Sequence, residues 1–336
     1  MQWLYLGLGA VLLIAVIVDI IWTTLWVDGG AGPLSRHLTT GTWRILRVVG
    51  RSRPRALSTA GPLILTLTLA MWIGLLWLGW TFLFAGGDVA LRSTQTSAPA
   101  DWAGRLYYVA YTMFTSGNGD YTPTSSTWEI ASSFTTATGM ALVTLGVSYV
   151  ITVLGAVSSK RSFASDVTGL GNSSEAFVRT GWDGDSFEGL ERPLESLATQ
   201  LSQLAEQHKS YPILHYYHSE QGDRASAMAV PILDESLTLL RYAVEAENRP
   251  NETVLTHARS STDDYLETLD SAFIEPTTEA PPPPDLDRLR EAGIDTVSDD
   301  DFERVLEESE TRRRHLLGVV RADAWYWPPV EEDGED

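Results

Sequence analysis

The chain has 336 residues, no cysteine and a formal net charge of −20, which is carried almost wholly by its second half. Without cysteine there is no disulfide framework and no thiolate metal site, and the acidity argues against a nucleic-acid partner, which would need a basic surface. An apolar first half followed by an acidic second half predicts a membrane domain joined to a soluble domain.

The first predicted membrane helix runs from Trp3 to Val27. The run is long enough to cross a bilayer, which takes about 20 residues, and it lacks the basic start and small-residue cleavage site of a secretory signal. Asp19 lies inside it. An ionisable side chain within a membrane helix is a candidate functional residue. We favour a structural role for it, through a partner in a neighbouring helix or by snorkelling towards the arginines that follow.

A basic loop follows at residues 28–61. Its arginines are Arg36, Arg44, Arg47, Arg51, Arg53 and Arg55. The positive-inside rule places such a loop in the cytoplasm and therefore the N-terminus outside. Residues 34–49 alternate apolar and basic residues at helical spacing and predict an interfacial helix. Its arginines either contact anionic lipid or act only as a topology signal.

Two further apolar runs enclose a short aromatic segment. Residues 62–84 predict a second membrane helix running outwards, and residues 128–158 predict a third running inwards. Residues 102–114 are too short to cross, so they must enter and return, which is tolerated only where protein or a water-filled cavity covers the loop. The tyrosines of this segment suit an interfacial aromatic belt. They are Tyr107, Tyr108 and Tyr111.

The loop at residues 115–120 reads TSGNGD. To point several successive carbonyl groups at one axis, a backbone must alternate between right- and left-handed conformations. Glycine adopts both at little steric cost, and asparagine tolerates positive φ better than most residues. Rings of carbonyls and threonine hydroxyls can replace the water shell of a cation. In this context the sequence favours an ion-binding loop over a polar turn.

The order of outer helix, pore helix, filter loop and inner helix resembles the pore of the potassium-channel superfamily, whose filter is usually written T-V-G-Y-G-D. This chain keeps the threonine, both glycines and the aspartate, and it departs at Ser116 and Asn118. The resemblance covers about residues 61–161 and implies a homotetramer, because one loop supplies only a quarter of a carbonyl ring. It implies that the ion-binding residues are Thr115, Ser116, Gly117, Asn118 and Gly119, with Asp120 at the outer mouth. It also implies that the tyrosines of the pore helix brace the filter from behind, which is the alternative to an aromatic belt.

The departure at Asn118 leaves the selectivity open. The aromatic side chain usual at this position packs against the pore helix, whereas asparagine either hydrogen-bonds behind the filter or leaves it looser. The resemblance implies passive K⁺ conduction. A weakly selective cation channel is the first alternative, and a non-conducting membrane-anchored sensor or interaction protein is the second. A glycine of the inner helix acts as a gating hinge in the family. Gly139 and Gly146 are the candidates here, with close helix packing as the alternative.

The acidic second half predicts a helical domain. Residues 162–185 are rich in Ser, Gly and Asp and predict a linker, whereas residues 186–275 carry apolar residues at helical spacing. Residues 276–336 predict a proline-rich acidic tail with one charged helix at residues 294–314. We expect its end to be disordered, although the aromatic residues there could instead dock on a partner or on the helical domain.

No catalytic constellation stands out, so we predict no enzymatic activity. His215 and His218 have a metal-binding spacing, but without a further fixed ligand we predict no metal site. We expect an all-α membrane protein with three transmembrane helices, a re-entrant pore helix and filter loop, and a cytoplasmic helical domain. Its expected surroundings are the lipid bilayer of a prokaryotic cell membrane and other copies of itself. No nucleic acid and no cofactor beyond the permeant K⁺ are expected, and the sequence identifies no soluble partner or ligand of the helical domain.

Overall fold

The computed structural model describes residues 2–27, 30–49, 57–270 and 274–328. The chain divides into two compact units. The first comprises Met1–Leu154 and Ser210–Tyr216, and the second comprises Gly155–Lys209 and Tyr217–Asp336. Some predicted features lie outside the described residues, namely Arg51, Arg53 and Arg55 of the basic loop and residues 329–336 of the tail.

Three helices are long and apolar enough to cross a membrane. They are α1 (Gln2–Leu25), the outer helix α3 (Ala60–Ala85) and the inner helix α5 (Ser126–Thr168). Two shorter helices lie between them in the chain, the basic helix α2 (Pro33–Val49) and the pore helix α4 (Trp102–Met113). With the helical second unit, this confirms an all-α membrane protein.

Helix α1 packs closely against the outer helix through glycines. A Cβ atom on Gly9 would lie 2.7 Å from the backbone nitrogen of Leu83, and one on Gly79 would lie 2.9 Å from the side chain of Leu13. Small residues at such crossings let helix backbones approach each other in a membrane. The opposite side of α1 exposes apolar side chains, including Trp3, Leu4, Val11 and Ile14, which suits contact with lipid.

A short antiparallel ladder links the loop before the pore helix to the segment after the filter. Strand β1 (Leu91–Ser93) pairs with β2 (Tyr121–Pro123), and Arg92 lies opposite Thr122. Strands this short carry no periodicity of their own, so the sequence of residues 85–101 does not reveal β1. The ladder fixes the backbone on both sides of the filter.

The second unit contains the end of α5 and seven further helices among its described residues. They are α6 (Ser174–Gly181), α7 (Glu188–Ser210), α8 (Ser226–Thr238), α9 (Glu252–Asp270), α10 (Asp287–Glu291), α11 (Asp299–Glu308) and α12 (Glu310–Ala322). One buried apolar cluster extends through them. Between α7 and α8 in the chain, Pro212–Tyr216 forms a 3-10 turn that belongs to the first unit.

The structure corrects the linker predicted at residues 162–185. The inner helix continues to Thr168, and Ser174–Gly181 in the remaining segment forms α6. Phe163, Ala164 and Val167 are fully buried in the core of the second unit. Burial of this apolar face stabilises the helix where the Ser-, Gly- and Asp-rich composition alone favours a loop.

The structure also corrects the predicted tail. Its described part belongs to the core of the second unit through buried Leu289, Ile294 and Phe302, and Trp325 and Trp327 pack against the same core. In place of one charged helix at residues 294–314, α11 and α12 meet at Ser309. A charge pattern cannot show this break, because apolar contacts with distant helices determine it.

A buried ion network ties α12 to α8 and α9. Asp234 accepts hydrogen bonds from Arg259 Nη1 at 2.7 Å and Arg312 Nε at 3.0 Å. Next to it, Glu235 pairs with Arg313 at 2.8 Å. Burial disfavours the Asp234 carboxylate, but Arg259 and Arg312 outweigh burial and lower its pKa to about 2. Each buried carboxylate of this network is therefore matched by an arginine within hydrogen-bonding distance.

We expect Arg312→Gln to weaken the second unit in a pH-dependent way. Because the pKa of Asp234 is depressed on folding, its pairing stabilises the folded state above about pH 4, and this is lost as the pH falls towards 2. The variant should lose about 2 kcal/mol at pH 7, as for a hydrogen bond to a charged group. In thermal unfolding followed by circular dichroism, the wild type should lose more stability than the variant between pH 5 and pH 3. Equal losses of stability in the two proteins would contradict the pairing of Asp234 with Arg312 as the source of this pH dependence.

Candidate functional site

The loop at residues 115–120 has the alternating backbone predicted for it. Values of φ are 59° at Thr115, 63° at Gly117 and 77° at Gly119. Left-handed residues therefore occur at every second position, the alternation needed to point successive carbonyl groups at one axis. Positive φ at a threonine is strained, and such strain concentrates at functional sites.

The loop starts directly from the last turn of the pore helix. The amide of Ser116 donates to the carbonyl of Tyr111 at 2.8 Å, and the amide of Thr115 donates to that of Thr112 at 3.2 Å. A helix C-terminus carries a partial negative charge. The pore helix therefore presents the end that favours a cation to the start of the loop.

Tyr107 of the pore helix connects two side chains of the loop. Asn118 Nδ2 donates to the Tyr107 hydroxyl at 2.6 Å, and that hydroxyl donates to Asp120 Oδ2 at 2.9 Å. Of the two alternatives for Asn118, the structure thus has the hydrogen bond. The consensus filter has a tyrosine at the position of Asn118. In this chain the tyrosine hydroxyl comes instead from Tyr107 of the pore helix.

The outer end of the loop is held by two further residues. The Tyr111 hydroxyl donates to the Tyr121 carbonyl at 3.0 Å. Thr94 donates its amide to the Asp120 carbonyl and its hydroxyl to the Gly119 carbonyl, both at 3.0 Å. Nothing in the sequence points to Thr94, which lies in a polar loop far from the filter in the chain. Only the short strand pairing brings it there.

The pore helix itself is fixed at both sides. Trp77 of the outer helix donates its indole N–H to the Leu106 carbonyl at 2.9 Å. The Tyr108 hydroxyl and Ser132 of the inner helix share a hydrogen bond. At the N-terminus, Asp101 caps the helix by accepting from the Gly104 amide at 2.7 Å. These contacts give the loop a rigid support.

The two candidate hinge glycines have different surroundings. A Cβ atom on Gly139 would lie 2.1 Å from the carbonyl oxygen of Met113, the last residue of the pore helix. The nearest atom to a Cβ on Gly146 would be Leu69 Cδ2 at 3.5 Å, an ordinary contact distance. Close packing therefore accounts for Gly139, whereas Gly146 has room for a side chain.

The remaining candidates do not form a metal site in the structure. His218 is buried with its Nδ1 atom 3.2 Å from Asp323 Oδ1, and it stacks on Trp325. His215 lies edge-on to Tyr216. Across the described part of the chain, no group of three potential histidine or carboxylate ligands comes together.

Residues 64–156 match the Ion_trans_2 family, described as an ion channel. With the membrane helices and the loop between them, this makes the chain a membrane protein with an ion-channel pore domain. It is 40% identical over 328 residues to the uncharacterized membrane protein YdjJ of Bacillus subtilis (strain 168), covering 98% of this chain and 96% of that protein. The chain therefore belongs to the same family as YdjJ. No solved structure matches it.

Proposed function

We propose that the protein is a homotetrameric channel that conducts K⁺ passively across the cell membrane of a prokaryote. The alternating backbone at residues 115–119 carries this proposal, because it is the conformation that presents carbonyl oxygens to a dehydrated cation. Residues 62–161 would form the pore domain, with the permeant ion held at residues 115–119. The Asp120 carboxylate would concentrate cations at the outer mouth.

The tetramer is supported by what a single chain leaves uncovered. Residues 114–119 are exposed. The inner helix also exposes large apolar side chains along its length, including Ile130, Phe134, Val147 and Ile151. In a fourfold assembly these surfaces would face neighbouring subunits or the ion path, and four loops would complete each carbonyl ring.

The arrangement across the membrane follows from charge. The arginine-rich residues 28–61 would lie in the cytoplasm, which puts the N-terminus outside and the acidic helical unit in the cytoplasm. The exposed apolar side of α1 would face lipid. In this orientation the C-terminal end of the pore helix points to the ion path from outside.

A weakly selective cation channel is the second candidate. Asn118 is tied to the pore helix by one neutral hydrogen bond, where the consensus filter has a packed aromatic ring. A neutral hydrogen bond contributes only about 1 kcal/mol, so the width of the loop would be less strictly fixed. This observation bears on the selectivity between K⁺ and Na⁺, and both candidates are conducting channels.

The deciding experiment is a reversal-potential measurement on the purified full-length protein in a lipid bilayer, with K⁺ on one side and Na⁺ on the other. A reversal near the K⁺ equilibrium potential supports a potassium channel. A reversal near zero supports the weakly selective channel. If neither ion passes, conduction is overturned and the sensor or interaction protein becomes the better hypothesis.

Tyr107→Phe should reduce the preference for K⁺. The substitution removes the hydroxyl that links Asn118 and Asp120, but it keeps the ring that packs edge-on against Tyr111. We expect the K⁺/Na⁺ permeability ratio to fall about fivefold, as for the loss of about 1 kcal/mol of hydrogen bonding. Tyr242→Phe, at an exposed tyrosine of the second unit, is the matched control. An unchanged ratio in Tyr107→Phe would exclude this role.

A further inference from the structure

Asp19 is a fully buried carboxylate inside a membrane-length helix. Its Oδ1 atom accepts hydrogen bonds from the amide of Leu34 at 2.8 Å and the amide of Ser35 at 3.2 Å. Its Oδ2 atom accepts from the Ser35 hydroxyl at 2.6 Å and from the indole nitrogen of Trp72 at 2.8 Å. One carboxylate thus joins α1, the first turn of α2 and the outer helix.

The contacts with α2 form a helix cap supplied by another helix. Free amides at a helix N-terminus favour a negative charge, and Asp19 provides it. A Cβ atom on Gly32 would lie 2.4 Å from Oδ1, so the chain needs glycine there to approach the carboxylate. Thr23, one turn further along α1, accepts from the Gly32 amide at 2.9 Å. The start of α2 is therefore fixed to α1 at two points.

Trp72 extends this connection to the inner helix. Its ring is fully buried, and its centroid lies 6.0 Å from that of Tyr149 on α5. Tyr149 comes after both Gly139 and Gly146 in the chain. Contacts therefore run without interruption from α2 through Asp19 and Trp72 to the half of the inner helix that follows its candidate hinge.

A buried carboxylate is costly in a membrane helix, and an apolar side chain could fill the same space without that cost. We propose that Asp19 is a positioning residue for channel opening, because it couples the position of α2 to the inner helix through Trp72. Helix α2 exposes Arg36, Arg44 and Arg47, so forces at a charged membrane surface act on it. This inference rests on the proposed conduction.

Single-channel recording of Asp19→Asn and Trp72→Phe tests the coupling. Asparagine has the same shape, but its NH₂ group would replace one accepting oxygen of the carboxylate. This NH₂ donor would then face another donor, either Ser35 or the indole N–H of Trp72, and one hydrogen bond would be lost. We expect the open probability to change about tenfold, as for the loss of a hydrogen bond to a charged group. Unit conductance and reversal potential should stay at wild-type values, since the filter contacts are untouched.

The double variant shows whether Asp19 acts through Trp72. Phenylalanine removes the indole donor that opposes the asparagine amide. The effect of Asp19→Asn/Trp72→Phe should therefore be smaller than the product of the two single effects. Independent effects that simply multiply would overturn the coupling through Trp72.

Thr24→Ala is the matched control on α1, because the Thr24 hydroxyl bonds only locally, to the Ile20 carbonyl at 2.7 Å. It should leave the open probability unchanged. If Asp19→Asn does not assemble, Ser35→Ala removes a single hydroxyl contact and should shift the open probability by a smaller factor. If the wild type conducts and Asp19→Asn has the wild-type open probability, this inference alone is overturned. The same holds for Ser35→Ala where Asp19→Asn does not assemble. A wild type without current overturns the proposed function and this inference with it.

Discussion

Replacing Gly117 with alanine is expected to abolish K⁺ flux. Gly117 has φ of 63°, where a Cβ atom costs about 1–2 kcal/mol because it crowds the following carbonyl. In the proposed tetramer the strain occurs four times around one ion site. If the four costs add to about 4–8 kcal/mol, the fraction of tetramers with the native filter backbone falls by a factor of about 10³ to 10⁶. The carbonyl ring would then lose its geometry.

Flux into liposomes that contain the purified protein measures this effect. Gly74→Ala is the control, because Gly74 lies inside the outer helix with no atom near its added methyl group. It should conduct like the wild type. Normal flux through Gly117→Ala, with the control also conducting, would mean that the loop is not the ion path. The membrane-anchored sensor would then be the better hypothesis.

Gly139→Ala is expected to be nearly as damaging, by a different route. The added methyl group would lie 2.1 Å from the Met113 carbonyl, so the inner helix and the end of the pore helix would have to separate. Overpacking of this kind costs about 1–3 kcal/mol in each subunit. It acts at Met113, the last residue of the pore helix, directly before the filter loop. We expect weakened assembly and loss of most of the flux.

Gly146→Ala separates packing from hinge motion. The methyl group would make only an ordinary contact with Leu69, so assembly and unit conductance should be preserved. If Gly146 is a hinge, the open probability changes, because alanine stabilises the helical conformation by about 1 kcal/mol relative to glycine and so opposes bending. Oligomeric state by size-exclusion chromatography, followed by single-channel recording, distinguishes the two positions. Equal tolerance at Gly139 would contradict the close packing described for it.

The sequence by itself determined the membrane segments and the type of loop between them. Helices at residues 2–25 and 60–85 follow the predicted spans within a few residues, and the helix at 102–113 matches the segment predicted to be too short to cross. Length and apolar composition decide whether a helix can cross a bilayer. The glycines at 117 and 119 determined the alternating backbone locally. These features depend on the residues of one segment and need no distant partner.

Only the tertiary structure decided the partners of polar groups and the ends of helices. Asp19 meets Trp72, and Thr94 meets the Gly119 carbonyl, across long stretches of chain. The inner helix passes its predicted end because Phe163 and Val167 are buried against helices that follow much later. A buried polar or apolar side chain takes the partner that folding brings to it. Hydropathy and spacing describe one segment at a time, so they contain no information about that partner.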